Sequence, residues 1–205
     1  MGGRYGTEKD EASKMLFERL AVPGPILITP KKFGDARGWF MESFRAAIFQ
    51  AEVGDYVFVQ DNSSMSSDVG TVRGLHFQLE PKAQGKLVSC TWGALLDVAV
   101  DIRAGSPTFG KFVAEELSSE NGRQLWVPPG FAHGFCTLKP NTVINYKVTD
   151  YYSPQHDCGL AWDDPHLNIN WPVSAKNAIL SDKDRRQPTL IKLGHVFQYK
   201  AAPAC

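Results

Sequence analysis

Six side chains of this 205-residue chain could move a proton or hold an anion within an otherwise apolar frame. Arg73-Gly74-Leu75-His76-Phe77-Gln78 sets a guanidinium and an imidazole three residues apart in a strand-like run. A second imidazole, His133, lies in Gly130-Phe131-Ala132-His133-Gly134-Phe135. Lys86 follows Gln84-Gly85, Asp97 opens Asp97-Val98-Ala99-Val100-Asp101-Ile102-Arg103, and Tyr146 alternates with Ile144 and Val148. Strands that carry His, Lys, Arg and Asp where a barrel would hold Val and Ile imply a polar pocket inside a β-barrel. Together the set offers a general base, a general acid, a cation for an oxyanion and an orienting carboxylate. That combination suits proton abstraction next to a carbonyl.

The elements that must position these groups are short and mostly extended. Alternating segments at 26–29, 39–43, 56–60, 71–79, 86–92, 94–103, 112–117, 124–127, 132–137 and 142–148 are separated by Gly, Pro, Asn and Asp. Strands this frequent read as an all-β sandwich, jelly roll or barrel. Residues 44–51 (FRAAIFQA) are the best helix, with shorter candidates near 8–20 and 174–179. Period-two alternation puts Val98, Val100 and Ile102 on one face and Asp97, Ala99, Asp101 and Arg103 on the other. It turns Tyr146 inward with Ile144 and Val148, and places Lys86 with Val88 and Cys90. Arg73 and His76 have opposite parity, so a regular strand would send them to opposite faces. A bulge at Gly74 would re-aim one of them into a shared pocket.

Rival chemistries have weaker support. A metal-binding barrel of the cupin type would place His-x-His and a Glu on one strand, whereas this chain reads His76-Phe77-Gln78. A two-His, one-carboxylate set of His76, His133 and Asp97 needs a coincidence of geometry, so no metal is expected. Cys90 and Cys136 lie in apolar strands, where a thiol is ordinarily packing material. No Gly-x-Ser-x-Gly, Walker A loop or strand-linked Gly-x-Gly-x-x-Gly occurs. His133 follows a Pro-Pro-Gly turn and has a bland reading as a turn-fixing residue. His156 and His166 read as surface residues of polar loops, and His195 as part of a tail.

Composition bounds the remaining possibilities. Lys and Arg total 22, matching 22 Asp and Glu, so no global field draws in nucleic acid or an anionic membrane. No apolar run reaches the roughly 18 residues of a membrane span. The first 20 residues are too rich in charge for a signal peptide. Cys90, Cys136, Cys158 and Cys205 are scattered, which fits reduced thiols and a soluble cytoplasmic protein.

At the level of motifs the chain resembles the dTDP-4-dehydrorhamnose 3,5-epimerase family. The resemblance rests on FGDARGWFMESF (33–44), QDNSSMS (60–66), VRGLHFQ (72–78), QGKLV (84–88), DVAVDIR (97–103) and SPTFG (106–110). It continues through LWVPPGFAHGF (125–135), YKVTDYYSP (146–154) and LSDKDRRQP (180–188). It implies a cupin-like jelly roll, or double-stranded β-helix barrel, with a few short peripheral helices. It spans residues 26–188 as one domain, with residues 1–25 as an extension and 189–205 as a tail.

The implied reaction inverts carbons 3 and 5 of a dTDP-4-keto-6-deoxyhexose without a cofactor, in the deoxysugar supply for cell-surface polysaccharide. By resemblance His76 is the base, Tyr146 the acid, and Lys86 the cation at the enolate oxygen. Asp184 best matches the carboxylate that orients the base, with Asp97 as second choice. Arg37, Arg73 and Lys183 would serve the diphosphate, Glu42, Gln60 and Asn62 the nucleotide, and His133 the sugar. Asp157 stands where the family often has Glu, and Trp39 where Phe is more usual. The family forms homodimers by strand exchange, so Arg37 and Glu42 would complete a neighbour's site. Epimerases acting at one carbon only share these motifs, and a metal-dependent enzyme or a non-catalytic sugar-nucleotide binder are the rivals outside the class.

Overall fold

The computed structural model describes residues 15–201. Strands β1 (Leu16–Arg19) and β2 (Ile26–Thr29), a hairpin of β3 (Lys32–Asp35) and β4 (Gly38–Met41), and helix α1 (Ala46–Glu52) come first. There follow β5 (Gln60–Ser66), β6 (Val72–Gln78), β7 (Lys86–Trp92), β8 (Ala94–Asp101) and β9 (Arg103–Ala104). Next come β10 (Phe112–Ser118), β11 (Gln124–Val127), β12 (Phe131–Thr137), β13 (Thr142–Val148) and β14 (Asp157–Gly159). A 3-10 turn at Asp184–Arg186, helix α2 (Leu190–Leu193) and β15 (Phe197–Gln198) complete the described chain.

Two sheets face each other. One runs β1-β2-β11-β7-β13-β5, the other β10-β8-β12-β6-β14. Alternation decides what each face buries. Leu27, Val88, Cys90, Leu125, Val127 and Ile144 from the first sheet meet Leu95, Ala99, Val113, Leu117, Phe131 and Phe135 from the second. The opposite parity of β8 and β12 (Val98, Val100 and Ala132) points outward, under Leu160, Leu167, Leu190 and Phe197. The second sheet is thus covered on both sides, which is why its strands read as near-continuous apolar runs. Helix α1 covers part of the outer face of the first sheet, setting buried Phe49 edge-on to Trp126 at 5.2 Å.

Several expected boundaries shift. The stretch 56–60 is not a strand: Tyr56 and Phe58 pack on Trp126, and the ladder begins at Gln60. Strand β5 is polar because it is a sheet edge that alternates between exposed and half-buried residues. The helix expected near 8–20 lies partly outside the described residues, and its end, Leu16–Arg19, is instead a strand paired with β2. The stretch 174–179 forms a turn, after which Ile179 bridges Thr71 in parallel. Expected strand 94–103 breaks before Arg103, whose guanidinium binds buried Asp101. Among the described residues no helix is long and apolar enough to cross a membrane.

Candidate active site

The strand irregularity anticipated at Gly74 is present and builds the site. His133 is register-paired with His76, but Phe135 pairs with Arg73, so β6 spends one residue more than β12 between the two pairs. The extra residue turns both Arg73 and His76 toward the inside, while Val72, Leu75 and Phe77 face outward cores. Two glycines allow it. Gly74 sits at φ +123°, where a Cβ would come within 2.6 Å of Gly134 Cα, and a Cβ on Gly134 would come within 2.7 Å of Arg73 O. Neither position has room for a side chain.

The chamber enclosed there has a volume of about 500 Å³ and is lined by Arg73, His76, Lys86, His133, Tyr146 and Asp184 among others. Its two walls come from different sheets: His76 and His133 from β6 and β12, Lys86 and Tyr146 from β7 and β13. An adjoining cavity of about 400 Å³ shares His76, Lys86, Tyr146 and Lys183, and adds Gln60, Asn62, Gln84, Tyr152 and Asp157.

Each ionisable group has identifiable company. His76 Nε2 lies 2.5 Å from Asp184 Oδ1, across 108 residues of sequence. Burial pushes the Asp184 carboxyl up, but hydrogen bonds with His76, Ser181 Oγ and the Gly74 backbone outweigh it and hold it below the ordinary aspartate value. Lys86 Nζ donates to the His76 carbonyl at 3.3 Å. Burial pulls its pKa down to about 8, against the attraction of Asp157 and Asp97 and with help from Lys183. Burial raises the Tyr146 phenol, partly countered by Arg73, so it stays protonated at neutral pH. Arg73 is braced by Ser66 Oγ and Met65 O, each at 3.1 Å.

Most of the residues singled out in the sequence converge here. Asp184 rather than Asp97 partners His76, because Asp97 is committed to His133 Nε2 at 2.8 Å. Gln60 donates to Asn62 at 2.8 Å, and Lys183 pairs with Asp157, which also accepts from Tyr152 OH at 2.9 Å. Arg37 and Glu42 do not line either cavity. Arg37 is on the β3–β4 hairpin, paired with Asp35, and Glu42 is paired with Arg45 at 2.7 Å. Tyr152 and Ser181 were not anticipated. Ser181 stands three residues before Asp184 and accepts from its backbone N–H at 3.1 Å, a capping pattern visible in the sequence.

A cupin-like all-β barrel whose chamber opposes an imidazole–carboxylate pair to a protonated phenol and a lysine has the make-up of an isomerase working by proton transfer. The sequence profile of the dTDP-4-dehydrorhamnose 3,5-epimerase family matches residues 19–192, and the chain belongs to that family. The dTDP-4-dehydrorhamnose 3,5-epimerase of Sinorhizobium fredii is 61% identical over 194 residues, 95% of this chain and 97% of that protein. The enzyme of the same name from Shigella flexneri is 55% identical over 81% of this chain and 91% of its own. The crystal structure of the dTDP-6-deoxy-D-glucose-3,5-epimerase of Legionella pneumophila, in complex with dTDP-4-keto-L-rhamnose, superposes with a TM-score of 0.86. It is 44% identical and covers 92% of this chain and 100% of that one.

Proposed function

We propose that the chain inverts carbons 3 and 5 of a dTDP-4-keto-6-deoxyhexose, converting the gluco into the rhamno configuration. The observation that carries this reading is the placement of His76 and Tyr146 on opposite walls of one chamber. Epimerisation needs a proton removed from one face of a carbon and another delivered to the other face.

The ketone at carbon 4 acidifies the hydrogens on both neighbouring carbons and accepts the electron pair as an enolate. His76, oriented by Asp184, removes the hydrogen. Lys86 holds the enolate oxygen, and Tyr146 returns a proton to the opposite face. His76 then releases its proton and Tyr146 regains one before the second carbon reacts, so solvent hydrogen enters at both positions. The substrate's own ketone is the electron sink, and the scheme calls on no cofactor.

His133 faces the sugar. Arg73 and Lys183 meet the diphosphate, and Gln60, Asn62 and Asp157 line the cavity suited to the nucleotide. Arg37, its side chain 89% exposed, and Glu42 serve the chamber of a second copy in a homodimer. Exposed Trp39 and Phe40 on the same hairpin give that association an apolar motive. Residues 26–188 act as one catalytic domain.

The test is incubation with dTDP-4-keto-6-deoxyglucose in deuterated water, followed by proton NMR. The expected product has the rhamno configuration with deuterium at carbons 3 and 5. No exchange at either carbon would refute the reading, and exchange at one alone would reduce the enzyme to a mono-epimerase.

A further inference from the structure

The chamber holds two imidazole–carboxylate pairs, and the reaction above assigns a proton-transfer task to only one. The other lies deeper. His133 on β12 meets Asp97 on the neighbouring β8, where Asp97 is fully buried and His133 only 7% exposed. Among the described residues Asp97 Oδ2 has no hydrogen-bond partner. A half-satisfied buried carboxylate is destabilising, and an apolar residue of similar volume would usually pack at least as well. Packing therefore gives no reason for an aspartate at this position.

We infer that Asp97 is a positioning residue of the reaction: it fixes the ring of His133, leaving Nδ1 as the nitrogen for the substrate, and its negative charge supports the positive charge of Lys86. This rests on the reading of the chamber proposed above. Strand β12 lies between β8 and β6, and His133 is the direct cross-strand partner of His76. A His133 ring free to turn would disturb the base beside it. The charged groups bearing on Lys86 are Asp157, Asp97 and Lys183, and it shares the chamber with His76, His133 and Tyr146. Asp157 is the larger attraction on Lys86 and is shared with Lys183 and Tyr152, whereas Asp97 acts from the buried wall through its bond to His133. Asp97 thus adds to the attraction of Asp157 in keeping Lys86 charged.

Asp97→Asn in the full-length protein tests this, because the amide keeps the volume and removes the charge. The expected result is a fall in kcat/KM of at least about tenfold, in the range typical of lost supporting hydrogen bonds. Its alkaline limb should also move to lower pH, since Lys86 loses an attractive charge. In a cycle with His133→Gln, the two losses should combine to much less than their product. Wild-type kcat/KM with an unmoved limb, or losses that multiply in full, would overturn the inference. Nitrogen-15 NMR of His133 gives a readout independent of turnover. The wild-type ring should carry its proton on Nε2, and Asp97→Asn should abolish that preference; an unchanged His133 signal overturns the inference. If the wild-type protein turns over no 4-keto sugar nucleotide, the functional reading falls while this NMR comparison still decides the role of Asp97. Should the variant not fold, a wild-type His133 without a proton on Nε2 overturns the inference, and one with it supports it.

Discussion

Raising the pH should switch the enzyme off through Lys86. Burial lowers its ammonium pKa to about 8, with Asp157 and Asp97 resisting. From that value about nine molecules in ten carry the charge at pH 7, about half at pH 8 and about one in ten at pH 9. If only the charged form holds the enolate oxygen, kcat/KM falls about tenfold per pH unit above pH 8, reporting the free enzyme. The Tyr146 phenol is raised above its ordinary value by burial, and burial pushes the Cys90 and Cys136 thiols up to about 11. Initial rates by proton NMR, from pH 6 to 10, would trace the limb. Lys86→Arg should keep the charge and lose the limb, at a reduced rate because the guanidinium is larger. Lys86→Met should be slow and flat. A wild-type profile level to pH 10, or an alkaline limb at pH 8 surviving in Lys86→Met, would refute the assignment of Lys86 as the cation.

His76→Asn should stop exchange at both sugar carbons, with a loss of about 10²–10⁴-fold or more and nucleotide affinity largely kept; near-wild-type turnover would remove His76 from its role. Tyr146→Phe should uncouple the half-reactions, so that substrate exchanges hydrogen with deuterated solvent faster than inverted product forms. Exchange and inversion falling in proportion would count against a separate proton donor on that wall. Gly134→Ala puts a Cβ within 2.7 Å of Arg73 O and 3.1 Å of Gly74 Cα. It should lower stability by about 1–3 kcal/mol and separate His76 from His133, and an unchanged denaturation midpoint would show that the bulge tolerates it.

The chemistry of the chamber was legible because charged and polar residues interrupt otherwise apolar strands. The bulge was legible for the same reason: Arg73 and His76 could share a face only if Gly74 broke the alternation. Inward parity was readable for Asp97, but its partner was not. Nothing local distinguishes bonding to His133, one strand over, from bonding to His76, two strands over. The tie between His76 and Asp184 spans 108 residues and came from resemblance alone. Strand β5 hid because an edge strand facing solvent lacks the apolar periodicity by which strands are recognised. Arg37 lies just before the strand expected at 39–43, and no periodicity tells which chamber, its own or another's, it serves.

Every residue of β12, Phe131–Thr137, is buried, with the chamber before it and a second packed layer behind. A wall with no free face resists remodelling. Widening the chamber from β6, β8 or β12 requires changes whose immediate neighbours along the strand hold the opposite layer together. The rim is different, because Asn62, Tyr152 and Lys183 approach the adjoining cavity from an exposed strand edge or connecting segments. Retuning toward other bases or other sugars therefore meets less resistance at these rim positions than at the imidazole-bearing wall behind them. A library built to retarget the enzyme should randomise the rim first and leave the imidazole-bearing strands alone.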